Sequence, residues 1–190
     1  MSSLKNRLNQ IIPRITSDEF LNNSGLGNEI AFYIFDYPPE QELEIRKHIQ
    51  FVLSHLKKNR PELKIKHVNL FSLLIDYLKS RNLLERAFQI QKNKGDRELL
   101  KALKLTLDGD KIARVFIEAA DPQSQDLVIV SGIGNAWPLI RSHNLLNNLH
   151  SHMGNTPLIM FYPGVFTGNG LRLFGKLKEI NYYRAFKLVP

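Results

Sequence analysis

Apolar positions recur with two different spacings along the chain, and their succession predicts a layered α/β domain. Leu4, Leu8, Ile11, Ile12 and Ile15 fall near a 3.6-residue period, so residues 3–23 read as helical, with Pro13 expected to kink or interrupt them. With the turn-rich connector "LNNSGLGN" they form a helical lead-in over residues 1–28. The run "EIAFYIF" (29–35) is β-branched and aromatic, hence a buried strand, and "DYPP" ends it because Pro38 and Pro39 cannot continue a ladder. A helix is expected from Glu40, carrying Ile45, Ile49, Val52, Leu53 and Leu56 on one face and acids in its first turns. "LKIKHVNL" (63–70) alternates as a second strand.

Residues 70–120 carry helical stripes: Leu70, Leu73, Leu74, Tyr77 and Leu78, then Leu84, Ala87 and Phe88 up to Gly95. Asp96 is placed to cap a third stripe and Asp110 a fourth, so the segment reads as a helical insertion or lid. "DLVIVSG" (126–132) is a third strand, a helix is expected from about Pro138 to Met153, and "PLIMFYPG" (157–164) and "INYYRAFKLV" (180–189) are strands four and five. Strands that read as apolar runs, alternating with helices, define a mainly parallel five-stranded sheet covered on both faces. That is a single Rossmann-like or degenerate P-loop-like three-layer domain over 1–190. Ligands of such sheets meet the loops at the carboxyl ends of strands, here "DYPP", "SGIGNAWP" and "YPGVFTGNG".

Charge adds a direction. The chain of 190 residues carries a net +8. Residues 1–130 hold 20 Lys/Arg against 17 Asp/Glu, and residues 131–190 hold 6 against 1. The C-terminal third is therefore a basic surface, facing solvent, an acidic protein or nucleic acid. The absence of cysteine excludes disulfides, cysteine-ligated zinc and a thiol nucleophile, and fits a cytoplasmic setting. No apolar run is long enough to span a bilayer, and the start has no apolar core of a signal peptide, so no membrane partner is expected.

The loops lack most catalytic equipment. Gly132 and Gly134 sit where a phosphate loop would place them, but no Lys-Ser/Thr follows, and Trp137 stands where a dinucleotide fingerprint needs its third glycine. Pro138 removes a donor there, while Arg141 remains able to reach an anion. In the first loop, Asp36 with three glutamates and no glycine opposes a polyphosphate; one carboxylate without a nearby His is no metal site, and Asp36 is expected to cap the turn. His143, His150 and His152 are spaced seven and two apart, which fails the helical metal spacing, and His48 and His55 read as polar-face residues. Ser131 has no identifiable base. No metal or cofactor is therefore expected. "TGNG" signals a tight turn. Around it Phe161, Tyr162, Phe166, Phe174, Tyr182, Tyr183 and Phe186 interleave with Arg172, Lys176, Lys178, Arg184 and Lys187, the ingredients of a single-stranded nucleic-acid platform or a protein hot spot. Tyr162, Tyr183 and Arg184 are expected to be exposed.

Four ordered stretches, "IFDYPP" (34–39), "SGIGNAWPLIRSHNLLNNL" (131–149), "PLIMFYPG" (157–164) and "LRLF…NYYRAF" (171–174, 181–186), resemble the BrxB family of bacteriophage exclusion (BREX) defence systems. The resemblance covers nearly the whole chain and is weakest over 70–120. It implies a role in phage defence beside an alkaline-phosphatase-like PglZ protein, a large ATPase and an adenine-specific DNA methyltransferase. No catalytic residue carries over. The expectation is a non-catalytic adaptor, with Asp36, Trp137, Arg141, Tyr162, Arg172, Tyr183 and Arg184 as candidate partner contacts. Pro38, Pro39, Gly132, Gly134, Pro138, Pro163 and Gly164 then shape the loops. A nucleic-acid-binding module, or a nucleotide-binding enzyme with a degenerate loop, are the alternatives.

Overall fold

A computed structural model describes residues 3–21, 31–178, 180–182 and 184–190. The N-terminal helix α1 (Leu4–Ile15) starts where Ser3 accepts a hydrogen bond from the Asn6 N–H, 3.3 Å away. It runs through Pro13 without interruption and ends at Thr16, whose backbone and hydroxyl both return to Ile12 O. A short α2 (Asp18–Leu21) follows. Most of the connector "LNNSGLGN", and the first two residues of the predicted first strand, lie outside the described residues.

The strand β1 (Phe32–Tyr37) extends two residues further than the sequence indicates, so Asp36 is a strand residue and Pro38 ends the ladder. A 3-10 turn at Pro39–Gln41 leads into α3 (Glu42–Asn59), which buries Ile45, Ile49, Val52 and Leu56. After β2 (Ile65–Asn69), Asn69 caps α4 (Leu70–Ser80) by accepting from the Ser72 N–H. Next come α5 (Leu84–Thr106) and α6 (Gly109–Ala120). Asp108, not Asp110, occupies the N-cap of α6.

The third strand, β3 (Leu127–Ser131), leads into a four-residue α7 (Ile133–Ala136) and then α8 (Ser142–Leu149). The helix expected from Pro138 to Met153 is α8 alone, starting four residues later and ending earlier, and α7 precedes it as an element the sequence does not indicate. The chain leaves α7 extended at Trp137, and the Trp137–Pro138 peptide is cis. The hairpin β4 (Leu158–Phe166) to β5 (Gly170–Leu173) turns at "TGNG" as expected, but through Gly168, at φ +94°, rather than through Asn169–Gly170. The expected fifth strand over 180–189 is instead two fragments with different neighbours. β6 (Ile180–Asn181) pairs antiparallel with β5, and β7 (Phe186–Lys187) pairs parallel with β1.

The parallel sheet runs β2-β3-β4-β1-β7, with β5 and β6 as an antiparallel extension of β4. Alternation along each strand divides the core between its faces. Tyr33, Phe35, Ile129, Ile159 and Phe161 pack against α1, α2 and α3. Ile34, Val128, Val130, Met160 and Tyr162 pack against α4, α6, α7 and α8. The three-layer α/β architecture is thus as the sequence indicates. Within the 70–120 segment, α4 and α6 bury Leu70, Leu74, Leu78, Ile112 and Phe116 in the covering layer. Only α5 stands off: Ala87 is its one buried residue, and Gly95, at φ 81° and ψ 177°, divides it into two halves. Among the described residues no helix is long and apolar enough to cross a membrane.

Candidate functional site

The glycine corner after β3 is shaped by packing. Gly132 takes φ +74°, and a Cβ there would overlap the Asn69 carboxamide that caps α4. A Cβ on Gly134 would sit 3.0 Å from the Phe174 ring and 3.1 Å from Pro163. Both glycines therefore let α7 lie against its neighbours. A polar chain fastens the corner to α3: the Tyr37 hydroxyl donates to Glu42 at 2.5 Å, Arg46 Nε donates to Glu42 at 2.8 Å, and Arg46 Nη2 donates to Asn135 at 2.7 Å. Burial and the Glu42 carboxylate raise the Tyr37 pKa, so the phenol remains a donor.

Asp36 does not cap the loop. Its Oδ1 pairs with Arg7 Nη2 at 2.7 Å, and its Oδ2 accepts from the Phe166 N–H at 3.0 Å. The same guanidinium donates to Asp36 O at 2.8 Å and Val189 O at 3.1 Å, and lies 4.7 Å from the Phe35 ring centre. One ion pair thus ties α1, β1, the end of β4 and the C-terminus together, and the Asp36 side chain is fully engaged within the fold.

Ser131, for which the sequence offers no base, has His67 Nε2 2.8 Å from its Oγ. It neither caps α7, whose N-cap is Gly132, nor is it open to substrate, being 7% exposed. The pair reads as mutual satisfaction of a buried hydroxyl and a half-buried imidazole on neighbouring strands.

Burial lowers the pKa of His67 and of His48, and burial and then the Arg141 charge lower that of His143. A folded imidazole with a lowered pKa binds fewer protons than the unfolded chain below the usual value of 6.5. Folding stability is therefore complete above that pH and is lost as pH falls through it. Thermal melts should show a level midpoint above about pH 7.5 and a falling one from about pH 7 to 5, with a shallower fall for His67→Gln.

Three of the candidate contacts converge. Trp137, Arg141 and Tyr162 line one cleft at the carboxyl end of β3 and β4, with Ser142, His143, Leu173, Leu177 and Lys178. Trp137 is 41% exposed and meets the Phe174 ring edge-on, 6.0 Å between centroids. Tyr162 is not exposed as expected: at 1% accessible it belongs to the core, lining the cleft only from beneath together with the buried Ser142. Alternation along β4 turns it inward with Met160. Arg172 lies opposite Val165 in the β4–β5 hairpin, half-buried, and Arg184 is exposed. Tyr183 lies outside the described residues. Of the interleaved aromatics, Phe161, Tyr162, Phe166 and Tyr182 are buried, so they offer no stacking surface. Pro163 packs by Gly134, and Pro138 and Arg141 also border a second cleft with Asp108 and Lys104. Among the described residues no cluster of three metal-ligating side chains occurs.

The sequence of this α/β domain is matched by known proteins. The profile of the BrxB family, described as BREX protein BrxB, matches residues 66–188. A BREX protein BrxB from Escherichia coli is 46% identical over 98% of this chain and 92% of its own length. Another from Bacillus cereus is 40% identical over 100% of this chain and 99% of its own. The chain belongs to the BrxB family of BREX proteins. No solved structure matches it.

Proposed function

We propose that this chain is a non-catalytic adaptor of a BREX phage-defence complex, working in the cytoplasm. It binds the PglZ-type alkaline-phosphatase-like component and joins it to the large ATPase and the DNA methyltransferase. The observation that carries this reading is α5. A helical segment of 23 residues with one buried side chain adds little to the domain's own core, yet it leaves Phe88 52% and Leu105 76% exposed. Large apolar side chains held out on such an element are characteristic of protein contact surfaces. Full-length relatives named as BREX proteins support the setting. The packed glycine corner supports a role without phosphoryl chemistry.

Co-expression with the neighbouring defence proteins and capture on a tag tests the adaptor. The wild-type chain should retain the PglZ-type protein, and Phe88→Glu with Leu105→Glu should reduce its recovery by about tenfold or more. Both side chains are exposed, so the melting temperature should be unchanged. Wild-type protein that retains no partner overturns the adaptor; a double variant that retains it overturns α5 as the contact.

A second reading rests on Arg141, Lys176, Lys178, Arg184 and Lys187, all exposed in the basic C-terminal third. With the neighbouring aromatics largely buried, these cations would contact a nucleic-acid backbone without reading its sequence. Affinity for a DNA duplex should then fall linearly with salt on logarithmic axes, and no binding at about 50 mM salt excludes the reading.

A further inference from the structure

The cleft shared by Trp137, Arg141 and Tyr162 has a volume of about 320 Å³, within the range of small-ligand sites. Its chemistry is divided. Leu171, Leu173, Leu177 and Ile180 supply an apolar wall from the β4–β5 hairpin and the segment after it. Arg141 and Lys178 supply two exposed cations, and no described carboxylate lines the cleft. Neither cation forms an ion pair with a described residue. Ser142 and Tyr162 bring hydroxyl-bearing side chains to the cleft, and both residues are buried.

The neighbouring concavities differ. The cleft across Arg141 includes Asp108 beside Lys104, and the one near the C-terminus includes Glu19 beside Arg14 and Lys187, so both are mixed in charge. The groove between the halves of α5 is almost wholly apolar. Of these concavities, the Trp137 cleft joins two cations with no carboxylate among its described lining residues, buried hydroxyls, an apolar wall and a partly exposed indole. Cations without a competing carboxylate attract an anion, and the indole and leucines exclude water from whatever body that anion carries.

We propose that this cleft binds a small organic anion, its phosphate or carboxylate head met by Arg141 and Lys178 and its flat apolar body lying against Trp137. The site is separate from α5 and stands whether or not the adaptor reading holds.

Trp137 is the sole tryptophan of the chain, so its fluorescence reports on this cleft alone. The full chain is titrated with AMP and phenyl phosphate, with phenylacetate, and with adenosine and inorganic phosphate as body and head alone. A saturable change in emission with the organic phosphates, or with phenylacetate, supports the site and identifies its head group. Adenosine and inorganic phosphate should need about tenfold higher concentration, since each lacks half the contacts. Arg141→Glu and Lys178→Glu, made separately, should each weaken binding by about tenfold or more, with melting curves showing which variant is folded. No saturable change with any organic anion up to about 10 mM overturns the proposal, because that corresponds to less than about 3 kcal/mol of binding. An equal response to inorganic phosphate, or undiminished binding in a folded charge-reversal variant, overturns it as well.

Discussion

Asp36→Ala should destabilise the fold by about 3–5 kcal/mol, the cost of removing one partner of a buried ion pair. For a chain of this size that corresponds to a midpoint lower by about 6–20 °C. The side chains of Asp36 and Arg7 are 12% and 15% exposed, so the carboxylate is not replaced by bulk water when it is deleted. Two donors lose their acceptor together: the Arg7 guanidinium at 2.7 Å and the Phe166 N–H at 3.0 Å. Arg7 keeps its bonds to the carbonyls of Asp36 and Val189, but its charge is then unopposed beside the Phe35 ring. A double-mutant cycle separates the pair from the rest. Arg7→Met should cost less than Asp36→Ala, because methionine fills the space over Phe35 and leaves the Phe166 N–H satisfied. The double variant should cost less than the sum of the two. Additive losses by chemical denaturation would show that the ion pair is not the source of the effect.

Asp36 also marks the boundary of what the sequence discloses. Its place after an apolar run makes it look like a loop acid, while its partner lies 29 residues earlier on α1 and its second donor 130 residues later on β4. Pairings of that span leave no local pattern. The buried strands do leave one, because a parallel strand covered on both faces is apolar at successive positions, as in Leu127–Val130 and Leu158–Phe161. The same signal cannot say which edge a short strand joins, so 180–189 reads as one strand although its halves pair with β5 and β1. Helix periodicity likewise starts the last helix at Pro138, through Leu139, where α8 has not begun, and gives no sign of the four-residue α7. Of the cleft, Trp137 and Arg141 are legible as an aromatic and a cation at a strand-to-helix turn. Tyr162 is found for the wrong reason, since alternation along β4 sends it inward, and Lys178 is indistinguishable from its basic neighbours until the chain brings it back beside α8. For Ser131, the missing partner was His67 on the adjacent strand, two positions earlier in the register than its own partner Asn69.

Gly164→Val should destabilise the protein by about 3 kcal/mol or more, at the upper end of the cost of overpacking. Gly164 faces Leu173 in the β4–β5 ladder, and a Cβ built on it would overlap the Arg172 carbonyl oxygen and lie 2.9 Å from the Phe174 N–H and 3.1 Å from Leu173 Cα. All three obstacles are backbone, which cannot swing aside as a side-chain end can. Relief requires the hairpin to open, and with it the bond from the Phe174 N–H to Pro163 O at 2.8 Å. Phe174 is the ring against which Trp137 rests, and Leu173 is part of the cleft wall, so the consequence reaches the proposed ligand site. Gly134→Ala is the control. Its Cβ would meet the Phe174 ring and Pro163 at 3.0 and 3.1 Å, contacts with side-chain atoms that a shift of a few tenths of an ångström relieves. Its cost should be about 1 kcal/mol, near the low end of overpacking. Denaturant midpoints distinguish the two. Trp137 emission should also shift to the red in Gly164→Val as the indole loses Phe174, and an unshifted spectrum with a wild-type midpoint would show that the hairpin accommodates a side chain at this position.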